Sequence, residues 1–355
     1  MKKVLIVNPF GIGDVLFTTP IIAALKASPQ VEQIGYLCNR RTEELLRANP
    51  NIDEVFVFEK DEYRELWGRS VFACMKKFLS FLGRIKSKKF DVALDLSLNT
   101  KFGFFLWLVG IRRRIGYDYK ERGGFLTEKI KLASYCDRHI VDYYKGLLKY
   151  LGVQASEAGP KVFLKDRNVA RCDEFLNAHR IAATATLAAI IPGGGASWGK
   201  DAIYKRWHTD GFAQVADYLV ERYNAKILIF GDKSERTTCQ ALADAMKHKP
   251  ILSCGELGIL DIAAVLKRCA VVLANDGGPL HVAVGVGAKT VSIFGPVDER
   301  VYGPYGSVKE HLVVKSGAPC RPCYKDFKFE KCEALQCLRS IRADEVIEAV
   351  DKLMR

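Results

Sequence analysis

The chain has 355 residues, of which 49% are hydrophobic and 27% charged, a composition that excludes disordered, collagen-like and coiled-coil architectures. The net charge of +13 is uneven, since residues 1–165 contain 28 Lys and Arg against 18 Asp and Glu, whereas residues 166–355 contain 26 against 23. Basic surfaces attract nucleic acid, anionic lipid headgroups or acidic substrates, so we expect the first half to meet an anionic partner.

Short apolar runs alternate with helical patterns in the first half, which predicts βαβ units around a parallel sheet. Strands are predicted at 3–7, 34–37, 55–58 and 91–96. Helices are predicted at 14–26, 42–48 and in the basic amphipathic stretch 65–89.

The pattern restarts after residues 154–160, which have no strong periodicity. Strands are predicted at 186–191, 226–230, 271–274 and 290–294, and helices at 211–223, 260–267, 279–286 and 343–354. We therefore predict an α/β chain of two Rossmann-like domains, 1–160 and 161–340, closed by a C-terminal helix at 341–355.

Asp14 follows a glycine turn, Gly11-Ile12-Gly13, directly after the first strand. A dinucleotide fingerprint needs a small residue where Leu16 stands and an acidic residue after the second strand, so a nicotinamide-binding oxidoreductase is disfavoured but stays open. A helix N-terminus favours the ionised carboxylate that a general base needs. Asp14 is thus a candidate base, and the alternative is that it only caps its helix.

Two glycine-rich turns in the second half suit phosphate. Asn275-Asp276-Gly277-Gly278-Pro279 opens a helix, so its N–H groups predict an anion site suited to a diphosphate, whereas Asp276 is better suited to a sugar hydroxyl. Pro192-Gly193-Gly194-Gly195 is a second such turn, with the cation Lys205 nearby. The P-loop pattern is absent from the sequence, which disfavours a P-loop nucleotide hydrolase.

Glu235 and His281 each have two interpretations. Glu235 follows the predicted strand 226–230 and either accepts hydrogen bonds from a ribose diol or is a solvated acid at a helix start. His281 either contacts a ligand or is a buried core histidine.

The eleven cysteines include a late cluster, Cys320, Cys323, Cys332 and Cys337. Four thiolates are able to hold a structural zinc ion, but the irregular spacing favours reduced or redox-labile thiols. The other seven are in apolar contexts, as expected of buried thiols in a cytosolic protein. Because the sequence has no apolar run of about 18 residues and no signal-peptide cleavage pattern, we expect a cytoplasmic protein.

These motifs together resemble glycosyltransferase family 9, the heptosyltransferases of lipopolysaccharide inner-core assembly. The resemblance rests on Gly13-Asp14, Arg114-Ile115-Gly116-Tyr117, Pro192-Gly193-Gly194, Lys205-Arg206-Trp207, Gly231 with Glu235, residues 276–281, Phe294-Gly295-Pro296, Gly303-Pro304 and the late cysteine cluster.

The resemblance implies a GT-B fold, in which two Rossmann-like domains face a cleft, with an acidic lipopolysaccharide acceptor on the first and ADP-heptose on the second. It implies inversion at the anomeric carbon without a metal, with Asp14 as the base and Lys205 stabilising the leaving diphosphate. The donor is expected to contact Gly193, Gly194, Ser197, Glu235, Asp276, Gly277, Gly278 and His281. The acceptor is expected to contact Gly13, Arg40, Lys120 and Arg122.

The sequence also bears on membrane contact, nucleic-acid binding and a non-catalytic function. Arg112 to Arg114 and the stretch 75–89 are candidates for contact with the anionic inner membrane, the alternative being a solvated surface. Nucleic-acid binding is disfavoured because no helix-turn-helix, zinc-finger or RNP pattern occurs in the sequence. A non-catalytic or differently specific nucleotide-sugar binding protein of the same fold stays open.

Overall fold

The structure is a computed structural model that describes residues 1–355, apart from the side chains of Ala196 and Ser197. The chain forms two compact units. The first contains residues 1–135 and 141–158, and the second contains residues 136–140 and 159–355.

The first unit is built on a parallel six-stranded sheet of order β3-β2-β1-β4-β5-β6. Its strands are β1 Lys2–Val7, β2 Val31–Cys38, β3 Glu54–Val57, β4 Val92–Asp95, β5 Arg113–Tyr119 and β6 Glu128–Leu132. Its helices are α1 Ile12–Leu16, α2 Thr19–Ala27, α3 Glu43–Ala48, α4 Lys60–Arg69, α5 Val71–Ser87, α6 Thr100–Leu108 and α7 Ile140–Gly146, with 3₁₀ turns at Arg40–Thr42 and Leu148–Leu151.

The second unit contains another parallel six-stranded sheet, of order β12-β11-β10-β7-β8-β9. Its strands are β7 Leu187–Ile191, β8 Lys226–Gly231, β9 Ile251–Cys254, β10 Val271–Asn275, β11 Thr290–Phe294 and β12 His311–Lys315. Its helices are α8 Asp166–Ala178, α9 Thr209–Tyr223, α10 Arg236–Ala245, α11 Ile259–Arg268, α12 Gly278–Gly285, α13 Glu299–Tyr302, α14 Gln336–Arg339 and α15 Ala343–Met354, with 3₁₀ segments at Ala196–Lys205 and Lys233–Glu235.

Both sheets have the strand order of dinucleotide-binding folds, so the prediction of two Rossmann-like α/β units is confirmed. The order reverses between β1 and β4 in one sheet and between β7 and β10 in the other. Ligands of open α/β sheets bind at the carboxyl ends of the strands beside such a reversal. The turns after β1, β7 and β10 therefore occupy the positions where a site is expected.

Two predicted helices are interrupted. The helix predicted over 14–26 is two helices, because Pro20 has no N–H to donate to the carbonyl oxygen of Leu16, which accepts the hydroxyl of Thr19 instead. The helix predicted over 65–89 ends and restarts at Ser70, which has an extended backbone and accepts the N–H of Ala73 as the N-cap of α5.

Helices α5 and α6 bury one face against the first sheet. Phe81, Leu82 and Ile85 of α5 and Leu106 of α6 share one apolar core with sheet residues such as Phe56. Burying a side chain of this size stabilises the fold by about 1.5–3 kcal/mol. No helix among the described residues is long and apolar enough to cross a membrane.

Candidate functional site

The glycine turns after β7 and β10 lie side by side. A Cβ on Gly277 would lie 3.1 Å from the carbonyl oxygen of Gly194, and one on Gly195 would lie 3.5 Å from the amide nitrogen of Gly278. Gly195 has a φ of +73°, a left-handed conformation that favours glycine. Since α12 begins at Gly278, its unbonded N–H groups add to those of the turns. One anion can thus receive N–H groups from two neighbouring strands.

Lys205 is buried beside these turns. Its Nζ lies 2.6 Å from Asp276 Oδ2 and 4.6 Å from the ring centroid of Trp198. The two charged side chains are only 7% and 6% exposed. The sequence did not predict this burial or the ion pair, but it did place the cation beside the turns that are predicted to bind the diphosphate.

Asn275 links the two turns, a role that the sequence did not single out. Its side-chain amide donates to the carbonyl oxygen of Pro192 at 2.7 Å and accepts the N–H of Trp207 at 3.0 Å. The side chain thus joins the end of β10 to the turn after β7 and to the segment that carries Lys205. Its place at the end of a buried strand next to Asp276 was the signal available in the sequence.

Glu235 is buried rather than solvated. Its carboxylate accepts the N–H groups of Gly195 and Asp232 at 3.3 and 3.2 Å, and Arg206 Nη2 lies 3.6 Å away. A Cβ on Gly193 would overlap this carboxylate, so glycine is required there for the close approach. The interpretation as a solvated acid is wrong, and the carboxylate lies beside the glycine turns.

His281 lies in α12 and is 4% exposed. Burial lowers the pKa of this histidine to about 3, and the positive charges of His139 and Lys205 contribute. The imidazole is therefore neutral at physiological pH. The side chain of Ser197, another predicted donor residue, is not among those that the structure describes.

Gly13 and Asp14 lie in α1 at the carboxyl end of β1. The N-cap of this helix is Gly11, and Asp14 is in its first turn. Burial raises the pKa of Tyr36 and of Tyr135, and the negative charge of Asp14 adds to both shifts. Asp14 thus lies after the carboxyl end of β1, where the first sheet is expected to bind ligands, and its negative charge acts on two buried phenols.

Asp95 is a second carboxyl group at this edge, and the sequence analysis missed it. It ends β4, pairs with Val7 in the sheet register and is 5% exposed. Burial raises the pKa of Asp95 to about 6, against a hydrogen bond from the N–H of Ser97 that lowers it. Only the position at the end of a buried strand pointed to it in the sequence.

The predicted acceptor cations are exposed and follow neighbouring strands. Arg40, after β2, forms ion pairs with Glu43 and Glu62 at 2.8 and 3.0 Å. Lys120 and Arg122, after β5, lie over the ring of Tyr119 at 4.9 and 5.7 Å from its centroid. These cations and Asp14 all follow the carboxyl ends of parallel strands of the first sheet. Contact between the cations and an acceptor stays a prediction.

The three consecutive arginines 112–114 differ in their surroundings. Arg113 bonds Glu128 and the carbonyl oxygen of Tyr150, and Arg114 bonds the carbonyl oxygens of Ile111 and Phe125. Arg112 is exposed. Contact with lipid headgroups is therefore not supported for Arg113 and Arg114, because their guanidinium groups form hydrogen bonds within the first unit.

The late cysteines do not form a metal site among the side chains that the structure describes. No group of three or more His, Cys, Asp or Glu there is arranged to hold a metal ion, so the zinc possibility is not supported. Burial raises the pKa of Cys337 to about 11, which keeps it a thiol. Of the seven scattered cysteines, Cys136 is exposed, contrary to the prediction, and the other six are buried.

Comparisons with known proteins agree with this architecture. Lipopolysaccharide heptosyltransferase 3 of Escherichia coli K12 is 23% identical over 351 residues, which cover 96% of this chain and 95% of that protein. A solved glycosyltransferase of family 9 from Veillonella parvula is 25% identical with a TM-score of 0.83, covering 99% of this chain and 97% of that chain. E. coli heptosyltransferase WaaC, solved with ADP, is 18% identical with a TM-score of 0.71 over 99% of both chains. WaaC has also been solved with ADP-2-deoxy-2-fluoro heptose.

The predicted GT-B fold is confirmed by these structures. A nicotinamide-binding oxidoreductase is not favoured by any of these matches, and neither is a non-catalytic binding protein. The model of glycosyltransferase family 9 (heptosyltransferase) matches residues 78–333, and on this match the chain belongs to that family and is a glycosyltransferase of the heptosyltransferase type.

Proposed function

We propose that the protein transfers a heptose, with inversion, from ADP-heptose to an acidic acceptor of the lipopolysaccharide inner core. The observation that carries this proposal is the buried Lys205 beside two adjoining glycine turns, which combines a cation with N–H donors from two strands. Such preorganised donors act on charge that develops in the transition state, and here that charge is on the leaving diphosphate.

The donor would lie on the second unit. Its diphosphate receives N–H groups from the turns at 193–195 and 277–278 and the charge of Lys205. Glu235 accepts hydrogen bonds from the ribose hydroxyls, and Asp276 accepts them from the sugar, since neither carboxylate suits a phosphate. The ADP-bound forms of WaaC support a donor of this class.

The acceptor would lie on the first unit. Asp14 removes the proton from the attacking hydroxyl, whose oxygen then bonds the anomeric carbon as the bond from that carbon to the diphosphate oxygen breaks. The exposed cations Arg40, Lys120 and Arg122 attract the acidic groups of the acceptor to this edge. The chemistry proposed here needs no metal, because Lys205 and the backbone N–H groups offset the charge of the leaving group.

We also place the protein in the cytoplasm, in peripheral contact with the anionic inner membrane. The six buried cysteines outside the late cluster are free thiols, as expected in a reducing compartment. The excess of positive charge in residues 1–165 suits an anionic surface.

Asp14→Asn tests the proposed base. General-base assistance contributes about 10²–10⁴-fold, so turnover of ADP-heptose should fall by that factor while ADP affinity, measured by calorimetry, is unchanged. Glu32→Gln is a matched control that removes an exposed acid at the start of β2, at the opposite end of the strands from Asp14, and it should retain turnover. A set of core-truncated acceptors in an ADP-release assay identifies the acceptor. Turnover of Asp14→Asn within a factor of three of the unmodified enzyme would exclude Asp14 as the base.

A further inference from the structure

The first unit exposes an unusual number of large apolar side chains on three successive helices. Of the twelve large apolar residues exposed among those described, eight lie on α4, α5 and α6. They are Trp67, Val71, Phe72, Met75, Leu79, Phe104, Trp107 and Leu108. We name these eight residues the α4–α6 face. Clustered exposure of this kind marks an interaction surface, whereas single exposed apolar residues do not.

Helix α5 has two adjacent apolar rows, one buried and one exposed. Phe81, Leu82 and Ile85 are buried in the sheet core, while Phe72 and Leu79 are 81% and 58% exposed. Met75 lies between them, and the spacing of three and four residues places all three on one side of the helix. The core of the unit does not explain the exposed row, because α5 contributes Phe81, Leu82 and Ile85 to that core.

The exposed rows of α5 and α6 are connected by packed aromatic rings. Phe78 of α5 lies edge-on to Phe105 of α6 with ring centroids 5.1 Å apart. On α6, Phe104 stacks on Trp107 at 5.8 Å. The two helices therefore hold their exposed side chains in one fixed arrangement.

The charges of α5 and α6 have one sign, whereas the acidic residues of α4, Asp61, Glu62 and Glu65, are each paired with a cation. Helices α5 and α6 contain no acidic residue. Lys76 and Lys86 lie on the same side of α5 as Leu79, Lys101 lies in the first turn of α6, and Arg112 follows that helix. Within the described part of the chain these four cations take part in no ion pair, whereas Lys77 is bonded to Glu62. These four cations, which form no ion pair within the described residues, therefore lie next to the exposed apolar side chains.

We propose that the α4–α6 face docks on the surface of an anionic phospholipid bilayer. The aromatic and aliphatic side chains enter the boundary between headgroups and acyl chains, and the four cations meet lipid phosphates, as in interfacial amphipathic helices. A second copy of the chain is a poor occupant, because pairing two such faces would bring rows of positive charge together. The proposal deepens the peripheral membrane contact proposed above by naming its surface.

Vesicle co-sedimentation of the full chain tests the surface. Phe72→Ser/Leu79→Ser should lower partitioning into phosphatidylglycerol–phosphatidylcholine vesicles by about tenfold or more. Lys76→Gln/Lys86→Gln should lower it by roughly thirtyfold on these vesicles, in a salt-dependent manner, with little effect on pure phosphatidylcholine. The matched control Val169→Ser/Val308→Ser removes exposed apolar side chains elsewhere and should bind like the unmodified protein.

Tryptophan fluorescence distinguishes insertion from adsorption. Trp67 and Trp107 are 56% and 52% exposed on this face, so brominated lipids should quench their emission, and Trp67→Phe and Trp107→Phe should each reduce the quenched fraction. The proposal is overturned if no quenching occurs, if Phe72→Ser/Leu79→Ser binds vesicles normally, or if that variant converts a dimer to a monomer. Heptose transfer to a soluble truncated acceptor should be unaffected by these variants, so this proposal and the proposed enzymatic function fail separately.

Discussion

Replacing Lys205 by methionine is expected to destabilise the unliganded protein as well as slow transfer. The ammonium group and the Asp276 carboxylate lie 2.6 Å apart and are almost fully buried. Removing one member of such a pair costs about 3–5 kcal/mol, because the other charge stays buried without compensation. Methionine retains the apolar stem, so the change isolates the charge.

A double-mutant cycle measured by urea unfolding assigns this cost to the pair. Asp276→Leu alone should also be strongly destabilising, whereas Lys205→Met/Asp276→Leu should lie within about 1–2 kcal/mol of the unmodified protein, since an apolar pair replaces an ionic one at little net cost. A coupling energy near zero would refute the buried pair.

The same variant separates stability from catalysis. If Lys205 offsets charge on the leaving diphosphate, Lys205→Met should lose about 2–4 kcal/mol of transition-state stabilisation in ADP release, with weaker ADP binding by calorimetry. Loss of stability with normal ADP affinity and normal turnover would make Lys205 a structural residue and remove it from the donor site.

Three further outcomes follow from buried polar groups. Burial raises the pKa of Asp95 from 3.8 to about 6, so ionisation of this carboxyl group opposes folding. As the pH rises from 4 to 7, the unfolding free energy of Asp95→Asn should therefore increase by about 2–3 kcal/mol relative to that of the unmodified protein. Parallel curves of unfolding free energy against pH would contradict this. Burial lowers the pKa of His281 from 6.5 to about 3, so protonation of this side chain favours the unfolded state. Below pH 6.5 the unfolding free energy of the unmodified protein should fall by about 1.4 kcal/mol per pH unit relative to that of His281→Gln. A difference between the two proteins that stays constant from pH 7 to pH 5 would refute this prediction. Asn275→Ala leaves the buried carbonyl of Pro192 and the buried N–H of Trp207 without their side-chain partner. The change should therefore lower the unfolding free energy by about 1–3 kcal/mol and weaken ADP binding. An unchanged midpoint of urea unfolding would exclude the stabilising role of Asn275.

The sequence predicted the central strands of both sheets and the turns that follow them. Strands such as β1, β7 and β10 are buried on both faces, so they appear as continuous apolar runs between glycine-rich turns. The edge strand β6 was missed because its residues alternate between polar and apolar, and the edge strand β12 was missed because it is short and only partly buried. The strand β5 was missed because it opens with two arginines, whose guanidinium groups are bonded to Glu128 and to backbone carbonyl oxygens.

Pairs of site residues were beyond prediction where they come from separate strands. The sequence assigned Lys205 to phosphate and Asp276 to a sugar hydroxyl, but the ion pair between them depends on how the irregular segment after β7 returns to the end of β10. The burial of Glu235 against the turn of Gly193 to Gly195 has the same origin. Local patterns identify the residue types at strand ends, while their contacts are set by the order of strands in the sheet.

The ion pair also bears on which ligand the second unit prefers. In the unliganded protein Asp276 forms an ion pair with Lys205. A diphosphate that binds the Lys205 ammonium would weaken this ion pair and leave the buried Asp276 carboxylate less well compensated. A sugar next to the diphosphate supplies hydroxyl donors to Asp276 and compensates that loss, whereas ADP alone does not. If Lys205 binds the diphosphate and Asp276 the sugar, as proposed, the two residues are expected to favour the intact sugar nucleotide over the nucleoside diphosphate. On the same proposal the pair is expected to assist release of ADP after transfer, because Asp276 regains Lys205 once the sugar has left.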